Sequence, residues 1–149
     1  MSLKVGNKVP DFTLVADNGK PYKLSSKIKN KTLLVFYPGD GTPVCTNQFT
    51  DLRENASEFD DLKVEIIGIS TNDTKSHKSF KEKLKLPFTL LSDSEGAVAQ
   101  DYDCYGWFGT QRGVFLVDKD LELKYSRIES VSIFKRTSSE LIESIKKHS

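Results

Sequence analysis

Short apolar runs and longer amphipathic stripes take turns along this chain. Phe12-Thr13-Leu14-Val15 and Tyr22-Lys23-Leu24 flank Asp17-Asn18-Gly19, and Asn-Gly between β-like runs predicts a hairpin. Thr32-Leu33-Leu34-Val35-Phe36-Tyr37 is continuously apolar, the pattern of a buried central strand. Cys45, Phe49, Leu52, Ala56 and Phe59 then fall on one helical stripe facing the core. Val64 to Ile69 is the next strand, and Asn72 or Asp73 can cap a helix whose stripe is His77, Phe80 and Leu84. Pro87 marks its end. A short strand follows at Phe88 to Leu91, then a short helix from Glu95 to about Tyr102 and an aromatic loop, Tyr105-Gly106-Trp107-Phe108-Gly109. Val114 to Val117 and Glu122 to Ile128 are two more strands, with Asp118-Lys119-Asp120 turning between them. Thr137-Ser138-Ser139-Glu140 is a capping box that opens the last helix, with Leu141, Ile142 and Ile145 inward. Strands alternating with helices predict an α/β fold with a mixed central sheet, helices on both faces and an N-terminal hairpin.

Length and charge narrow the function classes. The 149 residues contain no internal repeat, linker or low-complexity stretch, so 1–149 reads as one domain with a real core. Lys and Arg total 22 against 21 Asp and Glu, a formal net charge of +1, which gives no support to a nucleic-acid or membrane partner. Met1-Ser2-Leu3-Lys4-Val5-Gly6 lacks the apolar stretch of a signal peptide. Two cysteines, Cys45 and Cys104, are too few for a disulfide-stapled secreted scaffold. With two distant histidines they also make a poor zinc set. The expectation is a reducing, cytoplasmic setting and no metal or cofactor.

The chemistry concentrates in Pro38-Gly39-Asp40-Gly41-Thr42-Pro43-Val44-Cys45, between the apolar strand and the amphipathic helix. Thr42 is a good N-cap, and Pro43 suits the first helical position. Cys45 then stands third in the helix, where backbone N–H groups lack partners and the helix dipole favours negative charge. A thiol there tends towards thiolate, its reactive form. A lone cysteine on an apolar stripe is ordinarily a buried core residue. Position tips the balance, because Cys45 occupies the place where a capping box has its Glu or Gln.

Pro38-x-x-x-Thr42-x-x-Cys45 resembles the peroxiredoxin signature, and the resemblance runs along nearly the whole chain. Val9-Pro10-Asp11-Phe12, Leu90-Leu91-Ser92-Asp93 and Arg112-Gly113-Val114-Phe115-Leu116-Val117-Asp118 are similar to other blocks of that family. The length and the surroundings of Cys45 look closest to the bacterioferritin-comigratory, or plant Q-type, branch. The resemblance implies a thioredoxin-like fold and a thiol-dependent peroxidase acting on hydrogen peroxide and small organic hydroperoxides. In it the Cys45 thiolate attacks the distal peroxide oxygen and becomes a sulfenic acid. Arg112 matches the family arginine, whose fixed cation favours the thiolate and polarises the peroxide; the plain alternative is a surface charge before a strand. Thr42 would orient peroxide and thiolate as well as cap the helix. Pro38 would pack over the site and limit water, where otherwise it is a turn residue. Gln48 stands where the branch often has Glu and reads as a solvated helix residue. His77 reads as a packed core-edge histidine rather than a base.

The chain departs from the branch at Thr50, where a resolving cysteine five residues after Cys45 is common. Cys104 is then the candidate resolving cysteine, within the chain or across a dimer. The alternative, which we favour, is regeneration of Cys45 by an external thiol: thioredoxin, glutaredoxin or a low-molecular-weight thiol. The resemblance leaves a monomer or a homodimer open. Two rivals carry different chemistry. A thiol–disulfide oxidoreductase wants CxxC at the helix start, whereas Thr42-Pro43-Val44-Cys45 has Thr in the first slot. A peroxide-sensing redox module would keep a reactive Cys45 without sustained turnover.

Overall fold

The computed structural model describes residues 3–106, 109–129 and 138–148. The expected hairpin is present as β1 (Thr13–Ala16) and β2 (Pro21–Lys23), followed by a single helical turn, α1 (Leu24–Lys27). Leu24, read in sequence as the end of a strand, instead starts that turn and is buried. The apolar run forms β3 (Lys31–Phe36) and leads through the loop 37–42 into α2 (Pro43–Glu54). The single long helical stripe is in fact two helices, α2 and α3 (Ala56–Asp61), broken at Asn55. The Asn55 side-chain amide donates to the Asp51 carbonyl at 2.8 Å. A side chain that takes up helix carbonyls in this way competes with the backbone ladder. Phe59 still packs in the same core as Phe49 and Leu52, so the stripe continues across the break.

β4 (Val64–Ser70), α4 (Thr74–Leu84), β5 (Thr89–Ser92) and α5 (Ala97–Asp101) follow. Of the two candidate caps for α4, Asp73 serves: its side chain accepts from Ser76 N. A small hairpin of β6 (Tyr105–Gly106) and β7 (Gly109–Thr110) precedes β8 (Arg112–Asp118), β9 (Leu123–Glu129) and α6 (Ser138–His148). Trp107, Phe108 and Thr137, the first residue of the expected capping box, lie outside the described residues. At the described start of α6 the N–H of Ser138 donates to the Asp51 carboxylate at 2.7 Å, so a residue of α2 caps it.

The main sheet has the order β2-β1-β5-β4-β3-β8-β9. Strands β3, β4 and β5 are parallel; β1, β2, β8 and β9 join them in antiparallel pairs. Side chains alternate across such a sheet, and the core divides accordingly. Leu33, Val35, Val114 and Leu116 face one layer with Phe49, Phe59, Phe80, Leu141 and Ile145, from α2, α3, α4 and α6. Leu34, Phe36, Phe115 and Val117 face the other with Leu24, Val98, Ala99 and Tyr102, from α1, α5 and the residue after it. Helices thus cover both faces, as the element order predicted. Among the described residues no helix is long and apolar enough to cross a membrane.

Candidate active site

Cys45 sits at the carboxyl end of β3, on the first turn of α2. Thr42 has extended backbone (φ −73°, ψ 149°), as an N-cap requires, and its hydroxyl oxygen accepts from Cys45 N at 3.3 Å. The same hydroxyl donates to the Gly39 carbonyl at 3.4 Å. Pro43 occupies the first helical position, where its missing N–H leaves nothing unsatisfied. Cys45 is 0% exposed.

Antiparallel pairing of β3 with β8 explains how Arg112 reaches this thiol across 67 residues of sequence. Phe36, the last residue of β3, pairs with Gly113, so the start of β8 lies beside the start of α2. Alternation along β8 then turns Arg112 to the same face as Val114, the Cys45 face. Its Nη2 donates to Cys45 Sγ at 3.2 Å, and its Nη1 donates to Gln48 Oε1. Arg112 and Gln48 are each 2% exposed. The expected solvated Gln48 is therefore corrected: one turn beyond Cys45, it turns inward and accepts from the guanidinium. A planar guanidinium offers donors in a fixed fork, and here the fork spans the thiol and the amide. Such a cation in a dry site stabilises negative charge on sulfur and on any oxygen leaving beside it.

A second polar cluster lies under the loop. Tyr37 donates its phenolic proton to Asp40 Oδ1 at 2.6 Å. Asp40 Oδ2 takes the Ser76 hydroxyl at 2.8 Å and lies 2.8 Å from His77 Nδ1. His77 Nε2 is 2.9 Å from the Leu91 carbonyl oxygen. Burial alone would raise the Asp40 pKa, but the His77 and Tyr37 hydrogen bonds and the His77 charge hold it below the usual carboxylate value. Burial, reinforced by the Asp40 charge, pushes the Tyr37 phenol well above its ordinary range. His77 is fully buried, as a packed histidine. Neither Asp40 nor Tyr37 stood out in the sequence. The available signal was His77 itself, since an imidazole on an apolar stripe needs buried partners.

Pro38 is half-buried in the loop between Tyr37 and Thr42. Cys104 is elsewhere. It is 0% exposed and belongs to the core layer on the other side of the sheet from Cys45. Its Sγ lies over Gly113, where a Cβ would approach within 2.6 Å, and its thiol donates to the Gln111 carbonyl at 3.1 Å. Burial pushes the Cys104 thiol up to about 12. A cleft of about 550 Å³, lined among others by Lys31, Val64 and Thr89, opens at the other end of the parallel strands from Cys45. Among the described residues no cluster of His, Cys, Asp and Glu is arranged to hold a metal ion.

The sequence and the fold are both shared with known proteins. Residues 5–126 match the AhpC/TSA family model. The chain is 39% identical over 128 residues to the putative peroxiredoxin bcp of Coxiella burnetii, covering 80% of this chain and 85% of that protein. It is 38% identical over 128 residues to peroxiredoxin Bcp of Bacillus subtilis, covering 80% and 82%. The crystal structure of peroxidoxin BcpB from Mycobacterium tuberculosis superposes with a TM-score of 0.88 at 28% identity, covering 97% of each chain. The shared fold is thioredoxin-like. The chain belongs to the AhpC/TSA family and is a peroxiredoxin of the Bcp and Q type, a thiol-dependent peroxidase.

Proposed function

We propose that Cys45 is the peroxidatic cysteine and that the chain reduces hydrogen peroxide and small organic hydroperoxides. The observation that carries this reading is the 3.2 Å contact from Arg112 Nη2 to a buried Sγ at a helix start. The thiolate attacks the distal oxygen of the hydroperoxide. An S–O bond forms as the O–O bond breaks, and the departing oxygen leaves as water or alcohol after taking up a proton. Sulfur is oxidised to sulfenic acid and the peroxide is reduced. Arg112 stabilises the thiolate and then the negative charge developing on the leaving oxygen. Thr42, whose hydroxyl oxygen is already engaged at the Cys45 amide, orients thiolate and peroxide. Pro38 limits water at the mouth. A fully buried sulfur needs less opening of the loop for a small substrate than for a large one.

For the return to thiol we propose a one-cysteine cycle. An external thiol attacks the sulfenic sulfur, water leaves, and a second thiol releases Cys45 from the mixed disulfide. Thioredoxin, glutaredoxin and low-molecular-weight thiols are the candidate reductants. Cys104 supports this reading by its position. It is buried in the other core layer with a raised thiol pKa, and a disulfide requires Cα atoms within about 7 Å. A thiol-driven cycle suits the cytoplasm, where thiols stay reduced. The two core layers on one sheet support reading 1–149 as a single unit.

The test is peroxide consumption with excess dithiothreitol. Many turnovers per protein, abolished by Cys45→Ser, are expected, with mass spectrometry trapping a Cys45 sulfenic acid when thiol is withheld. A single stoichiometric oxidation would overturn the enzyme in favour of the redox-sensor reading. Retained turnover in Cys45→Ser would remove the assigned sulfur.

A further inference from the structure

The loop that carries Thr42 to its place is tied down by a carboxylate that does not touch the sulfur. Asp40 lies midway between Tyr37 and Thr42. Its backbone N–H donates to Asn72 Oδ1 at 2.9 Å, and its carboxylate takes the Tyr37 phenol, the Ser76 hydroxyl and His77 Nδ1. Three of these partners follow β4 or lie on α4, and Tyr37 directly follows β3. One residue therefore joins the loop to two neighbouring elements. Gly41 then takes the left-handed conformation, φ 79°, which a side chain would resist. The chain turns there from the tethered Asp40 to the capping Thr42.

His77 is the partner that makes this tether strong. Both of its ring nitrogens face oxygens, Nδ1 the Asp40 carboxylate at 2.8 Å and Nε2 the Leu91 carbonyl at 2.9 Å. A ring protonated on both nitrogens satisfies both contacts, and pairs its charge with the carboxylate away from water. Removing one partner of a buried charged pair leaves the other uncompensated. The contact is thus close to all-or-none.

Cys45 gives the tether its consequence. With Cys45 completely buried, sulfur is reached only as the start of α2 gives way, a little for a small peroxide and much further for a protein thiol. Oxidation wants the loop closed, with Thr42 and Arg112 in place; reduction by a bulky thiol wants it open. We propose that Asp40 and His77 are positioning residues whose ion pair latches the loop shut, favouring oxidation of Cys45 and limiting its exposure to large thiols. The proposal rests on the peroxidase reading above and deepens it.

The test compares the wild type with Asp40→Asn, His77→Gln, Ser76→Ala and Tyr37→Phe. Three rates are read on each: single-turnover oxidation by hydrogen peroxide, reduction of the oxidised protein by thioredoxin, and alkylation of reduced Cys45 by iodoacetamide. Asp40→Asn and His77→Gln are expected to slow oxidation about tenfold or more, as misplacement of a reacting group does. They are also expected to speed thioredoxin reduction and alkylation several-fold. Ser76→Ala and Tyr37→Phe, which each remove one donor and keep the packing, are expected to move the rates in the same directions by less. They carry the test if the first two variants do not fold. Opposite movement of the two half-reactions is the signature of a latch; a merely structural role lowers both in proportion to the unfolded fraction measured by circular dichroism. Such parallel loss, or unchanged rates in folded variants, would overturn the proposal. Alkylation needs no peroxidase activity. A wild type that ignores peroxide would therefore defeat the functional reading, while the alkylation series still decides the latch.

Discussion

Arg112 shows how much one side chain can depend on its exact shape. Its fork donates to Cys45 Sγ and Gln48 Oε1 at once, which a lysine ammonium on a flexible stem cannot reproduce. Arg112→Ala is expected to slow oxidation of Cys45 by about 100-fold, the scale of losing a donor aimed at developing charge. Arg112→Lys should recover only part of that loss. Stopped-flow oxidation by hydrogen peroxide measures both, and a full recovery with lysine would reduce the role of Arg112 to charge alone. Pro38, Thr42 and Cys45 stand out in the sequence because their spacing matches a motif, and Arg112 because its block resembles one of the same family. Gln48 was misread because its inward turn depends on where Arg112 comes from, and nothing local to α2 encodes that.

Helix boundaries were predicted well where a capping side chain is local. Thr42 and Asp73 each accept a hydrogen bond from three residues on, from Cys45 N and Ser76 N. The start of α6 also falls inside the segment read as its opening, Thr137 to Glu140, but there another element contributes a partner that the local sequence does not name. The N–H of Ser138 is taken by Asp51 of α2, a partner 87 residues away. This carboxylate also places negative charge at the start of α6, where the helix dipole favours it. Asp51→Ala is expected to destabilise the fold by about 1 kcal/mol, the usual cost of a lost cap. The melting temperature should fall by about 2–4 °C, with Asp51→Asn in between. Thermal unfolding followed by circular dichroism checks this. No change in melting temperature would mean that α6 holds its start without Asp51. The break at Asn55 has the same lesson in reverse: a period-3.6 stripe says which face is buried, and it continues through an interruption made by a side-chain hydrogen bond.

The sheet itself separates the two thiols. Cys45 packs with α2, α4 and α6, Cys104 with α5 and the N-terminal segment, and β3 and β8 run between those layers. Bringing the sulfurs together would require opening the core rather than unwinding one helical turn. Cys104→Ser, which leaves the contacts of Cys45 with Arg112 and Thr42 in place on the other face of the sheet, is accordingly expected to leave peroxide turnover with dithiothreitol or thioredoxin essentially unchanged. A large loss of turnover, or a Cys45–Cys104 bridge found by mass spectrometry after peroxide treatment, would contradict the one-cysteine cycle.

Local order was written in the chain. The alternation of apolar runs and amphipathic stripes, the Thr42-Pro43 helix start and the last residue of the motif, Cys45, all follow from interactions between residues close in sequence. These sufficed for the α/β class and for a reactive-looking thiol. Folding supplied what needs distant segments to meet. Antiparallel pairing of β8 with β3 brought Arg112 to the sulfur. The packing of α4 under the loop gave Asp40 and His77 to each other. The two faces of the sheet set Cys104 apart from Cys45. Sequence patterns record which residues seek burial, hydrogen bonds or a helix end; which partner each one finds is fixed by strand order and side-chain alternation across the whole sheet.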